Sequence, residues 1–189
     1  MSLQLPLGES GTSFLREVER QSGQHLARCY QCGKCSAGCP IAFEMDYPPH
    51  QIIRGAQMGM RDLVLTSRTI WLCAACETCS TRCPQDVDPA GVMDALCRIA
   101  YTEGIRSPER DVPLFHRLFL GSVRQFGRVF EVGMIAFYNL FSGHLTKDLI
   151  MAPKLLLKGK LSVLPPSRRH ARGVKEMFAR AEALEGELK

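Results

Sequence analysis

The sequence predicts a mainly α-helical protein, and three observations predict it. No run shows the period-two alternation of a half-buried strand. A phrase of four cysteines closed by proline, then a polar stretch, a second proline and a helix-period segment, occurs twice, offset by 44 residues. The second half carries apolar residues at helical spacing over 114–141, 149–157 and 167–187.

Residues 1–11 read as a flexible N-terminal arm. Thr12 or Ser13 caps a first helix reaching about Leu26, with Phe14, Val18 and Leu26 on one side. The first cysteine loop follows, then a helix near 49–59 that Pro48 and Pro49 open, and a link from Arg61 to Ser67. Trp71 and Leu72 lead into the second cysteine loop. A helix runs from about Pro89 to Glu103 and stops at Gly104, a good C-terminal cap. Ser107-Pro108-Glu109 opens the next segment, and Gly121, Gly127 and Gly133 break or bend the helical pattern of 114–141. Pro165-Pro166 marks a linker before an amphipathic helix over 167–187, with Val174, Met177, Phe178, Ala181 and Leu184 on its apolar side. The expected organisation is an arm (1–11), a helical domain (12–106) and a helical extension (107–189). Two copies of a unit are too few for a solenoid array, so the repeat argues for one small domain.

Eight of the nine cysteines make up the repeated phrases, Cys29-x2-Cys32-x2-Cys35-x3-Cys39-Pro40 and Cys73-x2-Cys76-x2-Cys79-x3-Cys83-Pro84. This is the ligand spacing of proteins that hold two [4Fe–4S] clusters. Three thiolates two residues apart reach three corners of a cubane from one tight turn, and proline stops that turn from running on. In two-cluster proteins the fourth cysteine ligates the other cluster. The expected sets are therefore Cys29, Cys32, Cys35 and Cys83 for one cluster, and Cys73, Cys76, Cys79 and Cys39 for the other. The uncrossed pairing is the alternative. Crossing would tie the segments together and bring the clusters close enough for tunnelling. Structural zinc prefers two separated cysteine pairs in a tetrahedron and fits this spacing poorly. A disulfide framework fits an odd cysteine count poorly. Cys97, in the helical stretch after the second phrase, reads as a free buried thiol, with a ligand or redox role as its rival.

At 189 residues and 46% apolar composition the chain can hold one compact domain with extensions, or two small ones. Its formal charge of +5 is uneven: residues 1–97 carry 8 Lys+Arg against 10 Asp+Glu, and residues 98–189 carry 16 against 9. The basic residues are dispersed among Leu, Phe and Met, which suits a solvated face or a docking surface for acidic partners better than a nucleic-acid site. The first residues show no basic n-region and no sustained apolar stretch. The best membrane-span candidate, 114–141, is interrupted by His116, Arg117, Arg124, Arg128 and Glu131, so no transmembrane segment is expected. Oxygen-sensitive clusters and free thiols suit a reducing cytoplasm.

Phe115, Phe119, Phe126, Phe130, Phe137, Tyr138 and Phe141 crowd one helical region. Core packing is the plain reading, and a contact surface for another protein chain is the sharper one. No Gly-x-Gly-x-x-Gly or Walker phosphate loop occurs, no Cys-Cys pair offers substrate chemistry, and the histidines at 25, 50, 116, 144 and 170 are scattered. The residues can carry electrons and show no place to rearrange substrate bonds.

The phrases Cys29-Tyr-Gln-Cys-Gly-Lys-Cys-Ser-Ala-Gly-Cys-Pro and Trp71-Leu-Cys-Ala-Ala-Cys-Glu-Thr-Cys-Ser-Thr-Arg-Cys-Pro resemble the C-type subunits of heterodisulfide reductase. Ile53-Arg54 and the late Lys158-Gly-Lys-Leu…Leu-Pro-Pro stretch resemble that family too, and the likeness is strongest over 28–98. The resemblance implies an α-helical ferredoxin fold with two [4Fe–4S] clusters on the eight cysteines. It also implies a hetero-oligomer in which this chain relays electrons between two other proteins. One is the A-type subunit, which bears flavin and iron–sulfur clusters; the other is the B-type subunit, which is catalytic and reduces a disulfide. The chain lacks the Cys-Cys-Gly motif of the B-type subunit, which suits a non-catalytic relay. The alternative is an iron–sulfur relay protein or ferredoxin serving another oxidoreductase. The second loop departs from the first, with Glu77 at the place of Gly33 and Arg82 at the place of Gly38, so the two clusters are expected to differ in potential.

Overall fold

The computed structural model describes residues 9–143 and 171–187. The first eight residues of the expected arm, the helix over 149–157, the Pro165-Pro166 linker, His144 and His170 lie outside them. Among the described residues the secondary structure is helical, with no strand. No described helix is long and apolar enough to cross a membrane. The chain divides into two compact units, Met1–Arg110 and Asp111–Lys189.

In the first unit, α1 (Glu9–Ser22) opens ahead of the Thr12 or Ser13 cap suggested by the sequence. It ends at Ser22, because Gly23 turns left-handed (φ 68°) and donates its N–H back to Glu19 O at 2.8 Å. A 3-10 turn (Leu26–Arg28) leads to the first cysteine loop, whose single helical turn is α2 (Lys34–Ala37). Pro49 opens α3 (Pro49–Gln57). The expected link from Arg61 is instead a short helix, α4 (Arg61–Leu65). Five residues are too few to show a period, and what holds this turn is tertiary: Val64 and Leu65 are fully buried. Then come α5 (Thr69–Leu72), the second loop with α6 (Thr78–Thr81), and α7 (Pro89–Thr102). Asp88 caps α7 by accepting the Gly91 N–H at 3.0 Å, and left-handed Gly104 follows its end.

The core is built round α7, which packs against α1, α3, α4, α5 and α6. Val92, Leu96 and Ile99 meet Phe14 and Val18 of α1, Ile52 and Ile53 of α3 and Leu65 of α4 in one buried cluster. Each such side chain contributes about 1.5–3 kcal/mol on full burial. Cys29, Cys73 and Cys97 pack against the edge of the same cluster, so the cysteine loops rest on a rigid base. At the ends of α1 and α3 the backbones nearly touch: a Cβ on Gly59 would stand 2.2 Å from Gly11 Cα.

In the second unit, α8 (Asp111–Phe126) and α9 (Glu131–Ser142) are separated at Gly127 (φ 78°), one of the three glycines expected to break the pattern. Gly121 and Gly133 lie inside the helices, and the Phe130 ring packs on Gly133. Helix α10 (Ala171–Glu187) packs on α8, with Arg124 bonded to Glu182 at 2.6 Å and set 5.9 Å from the Phe178 ring centroid. Phe115 joins α8 to α9 through an edge contact with Tyr138 at 6.1 Å. Yet no side chain of α8 or α9 is fully buried, and Phe137 and Phe141 stack on each other while 55% and 65% exposed. On α10, Met177 and Leu184 of the expected apolar side are also exposed.

Candidate iron–sulfur centres

The two cysteine loops take the same backbone path. Gln31 and Gly33 in the first are left-handed (φ 65° and 76°), and so are Ala75 and Glu77 at the matching places in the second (φ 48° and 57°). Only Gly33 is a residue that adopts this region freely; the other three bear strain of about 1 kcal/mol or more. Alternating hand tightens the chain, so the cysteines of each loop face inward. The Thr78 hydroxyl lies 3.5 Å from the Cys76 sulfur. Each loop is then pinned to the next helix by the serine after its third cysteine. Ser36 Oγ accepts the His50 N–H at 3.1 Å and lies 2.7 Å from His50 Nδ1, at the start of α3. Ser80 Oγ donates to Asp88, the cap of α7.

Two hollows result. One is lined by Cys29, Cys32, Cys35 and Cys83, with Gln31, Lys34 and His50 in its wall, and holds about 310 Å³ of space partly open to solvent. The other is lined by Cys73, Cys76, Cys79 and Cys39, with Ile41, Met45, Ala90 and Met93, and holds about 390 Å³ likewise. Each thus gathers three cysteines from one loop and the fourth from the other. Pro89 lines both hollows. The loops also meet through α2 and α6, which occupy equivalent places in the repeat.

No disulfide joins any of the nine cysteines. Among the described residues no three Cys, His, Asp or Glu side chains converge on one point as they would round a single ion. Four sulfurs spread round a hollow fit a polynuclear cluster, whose corners are separate irons. Burial pushes the Cys35, Cys73 and Cys79 thiols above their ordinary value, whereas the Thr78 hydroxyl pulls Cys76 below its own. Iron binding would displace the thiol protons. Cys97 lines neither hollow; burial, then Asp94 and Cys73, push its thiol up to about 11, which keeps it protonated. Gln31 directs its side-chain N–H at the Cys29 sulfur, 3.3 Å away.

Asp46 was not singled out by the sequence. Its carboxylate accepts from Ser67 Oγ (2.7 Å), Arg68 N–H (2.8 Å), Thr69 N–H (3.1 Å) and Thr69 Oγ1 (2.7 Å), tying the segment after the first loop to the helix that leads into the second. Partial burial acts to raise its pKa, but these bonds outweigh it and hold the group at about 2. No spacing rule signals such a contact, since its partners lie more than 20 residues away.

A family model described as a 4Fe-4S dicluster domain matches residues 25–87. The chain is 36% identical over 131 residues to a C-type iron–sulfur subunit (the second of that type) of the CoB–CoM heterodisulfide reductase of Methanocaldococcus jannaschii, covering 65% of this chain and 67% of that protein. It is 32% identical over 101 residues to the C-type subunit of the H2:CoB–CoM heterodisulfide, ferredoxin reductase of Methanothermobacter marburgensis (53% and 55% covered). It is 43% identical over 100 residues to the C-type subunit of the ferredoxin:CoB–CoM heterodisulfide reductase of Methanosarcina acetivorans (53% and 39% covered). Against the last two the chain spans about half, or less, of the relative's length.

Proposed function

We propose that this chain, which belongs to the family of C-type heterodisulfide reductase subunits, relays single electrons through two [4Fe–4S] clusters between a flavin- and iron–sulfur-bearing protein and a catalytic one that reduces a disulfide. The observation that carries the reading is the pair of four-cysteine hollows with Pro89 as their common wall. The clusters would supply reversible one-electron storage. The chain's residues do the rest. Cys29, Cys32, Cys35 and Cys83 would hold one cluster and Cys73, Cys76, Cys79 and Cys39 the other. The left-handed residues at 31, 33, 75 and 77 shape the loops that aim the thiols, and the α7 core keeps the hollows at fixed separation, so an added electron costs little rearrangement.

Residues 12–106 form the cluster-bearing domain in this reading, and 107–189 the part that docks on the other proteins of the complex. Exposed Phe137 and Phe141 support that role, since aromatic side chains supply much of the affinity of protein interfaces. A reducing, cytoplasmic setting suits the free thiols. Anaerobic purification of the native complex, with iron, sulfide and partner identification, tests the proposal. Two clusters' worth of iron and co-purifying A- and B-type subunits are expected. A cluster-bearing chain that purifies alone would turn the reading toward a free ferredoxin, and a chain without sulfide would end it.

A further inference from the structure

The two hollows share a backbone design and differ in their walls. Residues 31 and 75 occupy the same left-handed place in the repeat. At the first stands Gln31, whose amide donates to the Cys29 sulfur at 3.3 Å; at the second stands Ala75, which has nothing to donate from its side chain. Glycine would sit at φ 65° with less strain than glutamine, so the amide, and not the backbone, gives position 31 its distinct chemistry. Three residues on, Lys34 lines the first hollow and its counterpart Thr78 lines the second. Thr78 does offer a hydroxyl, 3.5 Å from the Cys76 sulfur. The neighbouring Glu77, at the place of Gly33, adds a carboxylate next to Cys76 in the chain, a smaller influence on that sulfur than the Thr78 hydroxyl. Arg82 is common to both loops, since its side chain lies against Gly38. The rest of the second wall (Ile41, Met45, Ala90, Met93) is apolar, whereas the first sets His50 among the apolar Ile53 and Val87.

Reduction adds one negative charge to a thiolate-ligated cluster. A donor to ligand sulfur and a nearby cation stabilise that charge, while a carboxylate and an apolar wall oppose it. We infer that Gln31, with Lys34 beside it, makes the cluster of Cys29, Cys32, Cys35 and Cys83 the higher-potential one, so that the singly reduced chain keeps its electron there. Lys34 and Glu77 are exposed and screened by salt; the Gln31 bond is half-buried and is not. Gln31 is therefore the residue on which the order chiefly depends. The inference rests on the cluster-bearing reading above.

The test is an EPR-monitored titration of the full chain with dithionite and mediator dyes, with iron and sulfide counted on the same sample. The wild type should show two midpoints. Gln31→Ala should lower the higher midpoint and leave the lower one in place, moving the one-electron partition between clusters by up to about tenfold, or about 59 mV. The reciprocal Ala75→Gln keeps a non-glycine residue at a left-handed site and should raise the lower midpoint. The Gln31→Ala shift should persist at high salt. A Gln31→Ala chain with full iron in which neither midpoint moves, or in which the lower one moves, overturns the inference and leaves the cluster reading standing. A wild-type chain without iron or sulfide overturns both.

Discussion

Gly38 and Arg82 occupy equivalent places in the two halves of the repeat, and they touch. A Cβ on Gly38 would stand 2.5 Å from Arg82 Nη1 and 3.0 Å from its Cδ. One half supplies the space and the other the side chain that fills it. Each residue also directly precedes a fourth cysteine, Cys39 or Cys83.

That contact predicts a coupling. Gly38 has ordinary helical φ (−99°), so Gly38→Ala strains no backbone, and its cost is the displacement of Arg82. It should destabilise the wild type by about 1 kcal/mol and an Arg82→Ala chain much less. Denaturant midpoints of the four members of this cycle measure it. Equal cost in both backgrounds would mean that Arg82 does not rest on Gly38.

Gly59 presents the opposite case. Its φ is +67°, and the atom a Cβ would strike is backbone, Gly11 Cα at 2.2 Å. Neither can yield without separating the ends of α1 and α3. Gly59→Ala should cost more than about 2 kcal/mol, the sum of left-handed strain and a clash in a packed contact. Gly23→Ala serves as the control. It has the same hand (φ +68°) and no atom within 4 Å of the added methyl, so strain alone should act there. Comparable losses at both sites would refute the close approach.

Asp46 yields a pH prediction. Its folded pKa of about 2 lies below the ordinary 3.8, so its stabilisation is complete above about 3.8 and fades only as pH falls toward 2. The group is exposed enough for solvent to screen it, so Asp46→Asn should cost about 1 kcal/mol rather than the full linkage value. The gap between wild type and variant should stay flat from pH 5.5 to 8. Urea midpoints across that window check both statements, and a gap that changes within it would assign the effect to another group.

What the sequence reveals here follows the range of the forces involved. The long helices were legible because a 3.6-residue period and proline or glycine at their ends are local signals, as at Pro89 and Gly104. Helix α4 was not, because five residues carry no period and what holds it is tertiary, the burial of Val64 and Leu65 and the ion pair of Arg61 with Glu17. Cysteine spacing names the ligand candidates because a cubane constrains chain-local distances. The bonds of Asp46 to 67–69, the seat of His50 on Ser36 and the contact of Gly59 with Gly11 were silent, since each joins segments that only folding brings together. The left-handed Ala75 and Glu77 were silent for another reason: neither residue type advertises that conformation.

Cys97 gives a contrast among cysteines. It packs on the core edge and lines neither hollow. Cys97→Ala should retain full iron and sulfide and lose about 1 kcal/mol of stability from the truncated contact. Loss of a cluster's iron in this variant would make it a ligand.

The hollows pair Cys39 with the second loop and Cys83 with the first, and paired substitutions can test whether ligation follows the same crossing. Removing one ligand damages one cluster, and a second removal from the same set has little left to damage. Cys39→Ala combined with Cys79→Ala should therefore hold about as much iron as either single variant. Cys39→Ala combined with Cys35→Ala should lose both clusters, although Cys35 and Cys39 belong to one loop. Uncrossed ligation reverses the outcome, because Cys35 and Cys39 would then serve one cluster and Cys79 the other. Iron analysis and EPR of these two double variants separate the schemes, and the single-ligand chains provide the reference for protein that folds but carries one cluster. The expected result follows from the chain path: each fourth cysteine leaves its own loop beside the contact of Gly38 with Arg82 and enters the neighbouring hollow.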